Sequence, residues 1–391
     1  MLGRSLYFQT GALGLLLSAV TAAPAAGADG LTLGPFELGG AVRVNVLDKS
    51  WDTRQRRFPR SELEFDTLRG ELRFEQGAWD GSAQYRLYYY DETERTTHFL
   101  HHAWVGYRPQ AGGHVKAGVH QVPFGILPFN SHSYFFSLAY YVGLEDDYDL
   151  GLKYTRESGP WRWDVAYYLQ DEGHYFGDSE DSARYSYDVV RSADSANQEE
   201  DQFNGRIGYT YRHAANATSE LGISLQAGRL PNEAGGGTGS HLAAAVHWDG
   251  RYGPWAVKLQ SLWYRYNPSN PAGVDDRIMV LGAYDFPYNI ASEGHLHSIG
   301  LRHHWDLELG PLKGIDLYND FSYLIKAENS FEDSSMNVTG ASLDLAPFYV
   351  YADVAVGRRN AWIGPDFGNA LAAGGDDSLH TRLNLNIGLY F

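Results

Sequence analysis

The sequence of 391 residues contains no cysteine, which excludes a disulfide framework, thiolate-ligated zinc, cysteine-held iron–sulfur clusters and a cysteine nucleophile. It also lacks any run of 18 or more apolar residues, which a membrane-spanning helix requires. Positive charge is scarce: 31 Lys and Arg stand against 48 Asp and Glu, a net charge of −17. This balance argues against a nucleic-acid partner, because neutralising phosphates needs a basic face. Glycine (44 residues) and aromatic residues (14%) are abundant instead, which favours strands and turns over helices.

The first thirty residues have the pattern of a secretory signal peptide. Arg4 provides a positive start, an apolar run follows over residues 12–23, and small residues continue through Ala28. We predict that residues 1–28 are removed after Ala28, with cleavage after Ala25 as the alternative. The mature chain, residues 29–391, is then exported as one domain.

The rest of the chain alternates with period two. At the C-terminus, apolar residues alternate with Asn, Gly and Tyr; the apolar series is Leu383, Leu385, Ile387, Leu389 and Phe391. One face of such a strand suits lipid and the other suits water. A soluble sandwich can show the same alternation, but charged residues on the second face of many strands would each need a partner in a packed core. The pattern therefore predicts an all-β, transmembrane antiparallel β-barrel.

Counting the alternating segments gives sixteen strands. We place them at residues 36–48, 63–75, 81–91, 98–108, 114–121, 148–156, 161–170, 201–213, 220–229, 241–248, 255–266, 294–308, 314–323, 336–346, 348–357 and 379–391. Residues 278–286 are apolar enough to form another strand, but would break the up-and-down parity. We assign them to a long external loop that folds back as a hairpin, with eighteen strands as the alternative. A barrel of sixteen to eighteen strands leaves an aqueous channel.

The predicted inner face carries a basic sector. If apolar residues face lipid, the positive residues facing the lumen are Arg43, Arg69, Arg73, Arg86, Lys116, Arg162, Arg206, Lys258 and Arg302. Three acidic residues, Asp316, Asp320 and Asp353, are expected on the opposite side of the barrel. Such a split would put a transverse field across the channel and bias which solutes pass. The alternative is that these charges only solvate the lumen and pair with neighbours.

Most of the negative charge lies in the long connections, which we expect to be solvated at the outer rim; bridging by divalent cations to lipopolysaccharide is the alternative. No metal site is predicted. The acidic run Glu145-Asp146-Asp147 lacks the spacing of a calcium loop. The adjacent pair His101-His102 should be split between the two faces of a strand, so it cannot chelate one ion. We also identify no cofactor and no catalytic residue.

Several features together resemble Gram-negative outer-membrane porins. They are the signal peptide, the alternating strands, Pro123-Phe124-Gly125 directly after the strand ending Lys116-Ala117-Gly118-Val119, and the terminal Phe391. The resemblance is greatest to the group that includes phosphate-selective porins. It implies an outer-membrane location and a homotrimer, although the alternation is equally compatible with a monomer. No phosphate-binding arginine ladder can be matched residue by residue, so phosphate is not assigned as the solute.

Residues 122–147 form the third long connection and are too aromatic for a solvated surface loop, so their rings must pack on something. In general porins the third loop folds into the channel, and we expect the same here. The residues expected near the narrowing are Phe124, Phe129, His132, Tyr134 and Phe135. Packing at a subunit interface is the second interpretation.

The predicted function is a water-filled channel for passive diffusion of small hydrophilic solutes, with a bias toward anions. The expected partners are these solutes and the outer-membrane lipid and lipopolysaccharide. Barrel enzymes resemble smaller barrels of ten to twelve strands, and no serine here has a nucleophile context, so we do not expect an enzyme. The alternatives are a polysaccharide-export barrel and a surface adhesin or receptor barrel.

Overall fold

The computed structural model describes residues 30–52, 63–90, 94–179, 181–192 and 195–391. The predicted signal peptide therefore lies outside the described residues. The strands are β1 (Leu31–Leu33), β2 (Phe36–Lys49), β3 (Leu63–Gln76), β4 (Trp79–Tyr90), β5 (Arg95–Tyr107), β6 (Gly113–Gln121), β7 (Tyr148–Ser158), β8 (Trp161–Asp171), β9 (Asp188–Val189), β10 (Glu200–Ala214), β11 (Ala217–Pro231), β12 (Thr238–Tyr252), β13 (Trp255–Asn267), β14 (Ile278–Ala283), β15 (Phe286–Ala291), β16 (Glu293–Leu309), β17 (Leu312–Lys326), β18 (Ser334–Leu345), β19 (Phe348–Arg358) and β20 (His380–Tyr390). Among these residues, no helix is long and apolar enough to cross a membrane.

Sixteen strands close into an antiparallel barrel. The wall consists of β2–β8, β10–β13 and β16–β20, and each strand pairs with the next one along the wall. The barrel closes where the last strand, β20, pairs with β2 from Ala41↔Tyr390 to Lys49↔Arg382. The predicted sixteen-stranded barrel is confirmed, and the alternative of eighteen strands is wrong.

The extra apolar segment forms a hairpin that is not part of the barrel wall. Strands β14 and β15 pair from Ile278↔Ala291 to Ala283↔Phe286. The short strand β9 adds to β14 through Leu281↔Val189, which makes a separate three-stranded sheet. The predicted loop hairpin is confirmed, and it extends five residues beyond the predicted end at Phe286.

The wall has two faces of opposite polarity, as alternating side chains require. On β11, Leu221, Ile223 and Leu225 point outward and are 52–61% exposed. Their neighbours Ser224 and Gln226 point inward and are buried. The outer surface is thus apolar, while the inner surface is lined by groups that form hydrogen bonds.

The two rims of the barrel differ. At one rim the connections are tight, as at Gly159, which adopts a positive φ of 59° between β7 and β8. At the other rim four connections are long, and we name them loop 3 (residues 122–147), loop 4 (residues 172–199), loop 6 (residues 268–292) and loop 8 (residues 359–379). The buried apolar cluster of the molecule includes Leu138 of loop 3, Val189 of loop 4 and Leu281 of loop 6. The long loops therefore pack against one another rather than extending into solvent.

Candidate functional site

The charged residues predicted to line the lumen all lie on the inner side of the wall. Their neighbours in sequence, such as Leu68, Leu301 and Val354, are the exposed outward residues. The inward set comprises Arg43, Arg69, Arg73, Arg86, Lys116, Arg162, Arg206, Lys258, Arg302, Asp316 and Asp353. These residues belong to ten different wall strands, so the charges are distributed around most of the interior.

Most of these cations have a carboxylate partner on the wall. Arg43 Nε lies 2.9 Å from Asp66 Oδ2, and Arg162 Nε lies 2.9 Å from Asp164 Oδ2. Arg206 pairs with Glu220. Arg69 and Arg73 share Glu71, at 3.8 and 2.6 Å. The strands therefore neutralise much of their own charge.

Arg86 and Lys116 are different, because they pack on aromatic rings. The Arg86 guanidinium lies 4.5 Å from the centre of the Tyr185 ring, and its Nε donates to Gln84 Oε1 at 2.7 Å. Lys116 Nζ lies 3.5 Å from the centre of the Trp104 ring. Neither forms an ion pair within the described part of the chain, so both leave a net positive charge on the same side of the interior.

The acidic residues do not form a separate sector opposite the basic one. Arg302 on β16 lies 3.6 Å from Asp316 on the adjacent strand β17. Asp353 accepts a hydrogen bond from Tyr318 at 2.7 Å, and Asp320 binds loop 3. The predicted transverse split is wrong at this point, because acid and base on neighbouring strands neutralise each other locally.

Loop 3 runs through the interior and is bonded to the inner face of several strands. Gly125 N donates to Ser224 Oγ on β11 at 3.0 Å, and Ile126 N donates to Gln260 Oε1 on β13 at 2.9 Å. Lys258 Nζ donates to the carbonyl oxygens of Phe129 and Ser131 at 2.8 and 2.9 Å. Backbone groups in this irregular segment thus find partners on the wall instead of in a helix or sheet.

Farther along, loop 3 crosses to β17 and then to the closing strands. His132 N and Ser133 N donate to Asp320 Oδ2 at 2.7 and 2.8 Å, and Tyr134 Oη donates to Asp66 on β3 at 3.2 Å. Arg382 of β20 lies 5.2 Å from the centre of the Phe135 ring. The five residues predicted near the narrowing, Phe124, Phe129, His132, Tyr134 and Phe135, are all buried or half-buried inside the barrel.

Loops 4 and 6 cover loop 3, which the sequence analysis did not predict. Tyr185 Oη of loop 4 donates to Asp146 Oδ2 at 2.6 Å. Tyr288 Oη of loop 6 donates to the Tyr141 carbonyl at 2.6 Å, and the hydroxyls of Tyr140 and Tyr284 are 2.5 Å apart. The sequence does indicate that loop 4 is packed: it contains several tyrosines, and a loop rich in aromatic residues must pack on something, as argued for loop 3.

The acidic run of loop 3 is buried, contrary to the expectation of solvated loop acids. Glu145, Asp146 and Asp147 are 5–7% exposed. Glu145 accepts hydrogen bonds from the backbone N of Asn130 and from the hydroxyl of Ser137, at 2.9 and 2.5 Å. Burial raises the pKa of the Glu145 carboxyl, although these hydrogen bonds act in the opposite direction. Glu145 therefore stabilises the fold of loop 3 by accepting hydrogen bonds from other residues of the loop.

The histidine pair on β5 also differs from expectation. A β-bulge opposite Gln84 and Tyr85 interrupts the alternation, and the Nδ1 atoms of His101 and His102 lie 2.8 Å apart. His102 Nε2 also lies 2.7 Å from Ser82 Oγ. The prediction that the two rings lie on opposite faces is wrong, because the extra residue of the bulge breaks the period of two.

No known protein family matches the sequence, and no curated protein matches it. Solved structures do match the fold. The outer-membrane channel DcaP of Acinetobacter baumannii has a TM-score of 0.56 at 10% identity, covering 93% of this chain and 100% of that chain. The anion-selective porin from Comamonas acidovorans has a TM-score of 0.54 at 13% identity, covering 91% of this chain and 99% of that chain. OmpT of Vibrio cholerae, an outer membrane protein also solved in a trimer form, gives 0.53 at 12% identity, covering 91% and 99%. The fold is therefore that of outer-membrane porins.

Proposed function

We propose that the protein forms a narrow water-filled channel for passive diffusion of small hydrophilic solutes across a bacterial outer membrane. The observation that supports this most is the polarity of the sixteen-stranded wall, which is apolar outside and lined by charged and polar groups inside. A barrel of this size is wide enough to leave an aqueous lumen. Loops 3, 4 and 6 occupy part of that lumen, so the proposed channel is narrow and its conductance small.

The deciding experiment is single-channel recording of the folded protein in a planar bilayer. We expect small, discrete current steps, together with uptake of small sugars or amino acids by liposomes that contain the protein. Absence of ion current from correctly folded protein would refute the channel. A wide, unrestricted conductance would instead contradict the role given to the three loops.

We propose further that the channel favours anions. Arg86 and Lys116 support this, because both are inward cations that pack on rings rather than on carboxylates. Replacing both with glutamine should move the reversal potential in a salt gradient toward that of a non-selective pore. Arg229→Gln is the matched control, since Arg229 is 54% exposed and pairs with Asp201 near the rim. A wild-type pore that prefers cations would refute the proposal.

We infer that the protein associates with copies of itself, as a trimer does. Polar side chains lie among the apolar outward residues of β17 and β18: Asn319 Nδ2 donates to Asn337 Oδ1 at 3.1 Å and to Thr339 Oγ1 at 2.7 Å. The outward neighbours Leu317 and Phe321 are 48% and 40% exposed. Polar groups facing acyl chains are costly, and a second copy would cover them. The double variant Asn319→Leu, Asn337→Ala should then dissociate the oligomer in mild detergent, as measured by light scattering; a wild-type monomer would refute this inference.

We propose that residues 1–28 direct export and are cleaved, and that residues 29–391 form the mature barrel. The pattern of Arg4, the apolar run and the small residues before the cleavage position supports this. Determining the N-terminus of protein isolated from outer membranes tests it. We expect the mature protein to start at residue 29, and an uncleaved N-terminus would contradict the proposal. No catalytic step forms part of the proposed function.

A further inference from the structure

Loop 4 covers a buried group of carboxylates at the place where loop 3 joins β7. We call this group the carboxylate cluster, and its members are Asp147, Asp149, Asp171, Glu172, Asp188 and Glu199. All six side chains belong to residues that are at least 91% buried. One carboxylate oxygen from each of Asp147, Asp149 and Asp188 lies within 4.8 Å of the others. Three chain segments therefore bring acidic oxygens together at one point.

In the described part of the chain, a single arginine pairs with members of the carboxylate cluster. Arg184 Nη1 lies 2.7 Å from Asp171 Oδ2 and 3.0 Å from Asp188 Oδ2. Among the described residues, no other Lys, Arg or His forms an ion pair with a member of the cluster. One guanidinium cannot neutralise six carboxylates, and uncompensated buried charge is strongly unfavourable.

Several oxygens of the cluster have no hydrogen-bond donor. Asp147 Oδ1, Asp149 Oδ1 and Glu172 Oε2 are buried atoms without any hydrogen-bond partner in the structure. The second oxygens of two of these residues are satisfied: Asp149 Oδ2 accepts from Gln202 Nε2 at 2.9 Å, and Glu172 Oε1 accepts from Ser186 N at 2.7 Å. Each of these two carboxylates is thus held in position by one oxygen and leaves the other free.

The buried acids also repel one another. Carboxylate oxygens of Asp147, Asp149 and Asp188 all lie within 4.8 Å of one another, so their negative charges oppose each other. The cluster therefore has two routes to stability: its carboxyls take up protons, or a cation replaces the missing positive charge.

We propose that the carboxylate cluster is a divalent-cation site, with Asp147, Asp149 and Asp188 as ligands and Glu172 and Glu199 completing the shell. Calcium fits best, because it takes 6–8 oxygen ligands at about 2.3–2.6 Å in flexible geometry. Two oxygens bound to one such ion are at most about 5 Å apart, and the oxygens of Asp147, Asp149 and Asp188 all lie within 4.8 Å of one another. Magnesium demands a near-ideal octahedron at shorter distances, so we expect it to bind more weakly.

The ion would join three parts of the molecule. Asp147 ends loop 3, Asp149 is the second residue of the wall strand β7, and Asp188 lies in β9 of loop 4. Because β9 pairs with β14, the ion would also hold the hairpin of loop 6. Cation binding would therefore fix the three loops over the lumen, whether or not the barrel conducts ions.

The test uses the folded mature protein in detergent after removal of divalent cations with a chelator. Terbium, which substitutes for calcium at oxygen sites, is added, and its emission is read by excitation of nearby tyrosines; Tyr148 lies between Asp147 and Asp149 in the sequence. We expect sensitised emission that calcium displaces at lower concentration than magnesium does. Calcium should also raise the melting temperature and protect loop 4 from proteolysis.

Variants locate the site. Asp149→Asn and Asp147→Asn should each weaken calcium binding by roughly tenfold or more, whereas Asp178→Asn should not, since Asp178 is an exposed loop 4 acid paired with Arg95. Wild-type protein without terbium emission or calcium stabilisation would overturn the proposal. Calcium binding by both cluster variants as tight as that of the wild type would also overturn it. If chelation and calcium leave the wild type unchanged while Asp149→Asn stabilises it, protonated carboxyls hold the cluster and the proposal is wrong. These binding measurements are independent of conductance, so their failure is distinguishable from failure of the channel.

Discussion

The wall and loop 4 treat buried charge in opposite ways. On the wall, Arg162 and Arg206 both lie near Asp164, at 2.9 and 3.7 Å, and Arg206 also pairs with Glu220. Charges of opposite sign thus alternate across neighbouring strands. In loop 4, by contrast, Arg184 pairs with Asp171, Asp181 and Asp188. The other members of the carboxylate cluster have no such partner within the described residues.

This difference follows from how each region is built. A strand pair presents side chains at fixed spacing, so an acid on one strand meets a base on the next. Loop 4 has no such register, and its acids gather from distant segments around one guanidinium. Asp164 and Arg206 on the wall therefore each have two partners of opposite charge, whereas the carboxylate cluster has a single arginine among the described residues and depends on whatever neutralises the remaining acids. The comparison can be tested by removing one cation at a time.

Removing the loop 4 cation should have the largest effect. Arg184→Met would leave Asp171 and Asp188 without a guanidinium, and breaking a buried pair in this way costs about 3–5 kcal/mol. We expect the free energy of unfolding, measured by urea titration in phospholipid vesicles, to fall by that amount. Proteolysis should cut loop 4 before the wall unfolds.

Arg191→Met is the matched control. Arg191 also contacts Asp181, at 3.5 Å, but its side chain is 37% exposed. We expect less than about 1 kcal/mol of destabilisation, as is usual for exposed pairs. If Arg184→Met and Arg191→Met lower the free energy of unfolding equally, burial of the ion pair does not determine the destabilisation.

Removing a wall cation should cost less. In Arg206→Met, Asp164 keeps Arg162 and Glu220 keeps His247, whose Nε2 lies 3.2 Å from Glu220 Oε1. The main loss is the charged hydrogen bond to the Gly125 carbonyl, which is 2.8 Å long. We expect about 2 kcal/mol in the same urea titration. A loss as large as that of Arg184→Met would mean that the wall is no better compensated than the loop.

The same contrast explains what the sequence predicted and what it did not. Alternation revealed all sixteen wall strands, because the apolar outer face repeats at every second residue. It could not reveal the carboxylate cluster, because Asp149, Asp188 and Glu199 lie in segments up to 50 residues apart and meet only through tertiary packing. It also missed the position of His102, because a bulge leaves no clear mark in the pattern. Partners across strands depend on register, so the pairing of Arg302 with Asp316 was not visible either.

A single loop 3 anchor on the wall should contribute less than either arginine. Ser224→Ala removes the acceptor for the buried Gly125 N–H, and an unsatisfied buried donor of this kind costs about 1 kcal/mol or slightly more. We also expect noisier open-channel current, because loop 3 gains freedom. Ser261→Ala on β13 is the control, since Ser261 points outward; an identical change in current noise would contradict the role of the anchor.

The smallest effect at neutral pH is expected at His132, where loop 3 meets Asp320. Burial and the charge of Lys258 lower the pKa of His132, while the hydrogen bond to Asp320 opposes the shift and Arg302 adds to it. The unfolded chain therefore takes up the proton first, at about pH 6.5. Stability that depends on neutral His132 is complete above that pH and is lost as pH falls, by at most about 1.4 kcal/mol per pH unit. Subtracting the unfolding free energy of His132→Gln from that of the wild type cancels the titration of the loop acids; a difference that does not decrease on acidification would show that His132 is not held neutral.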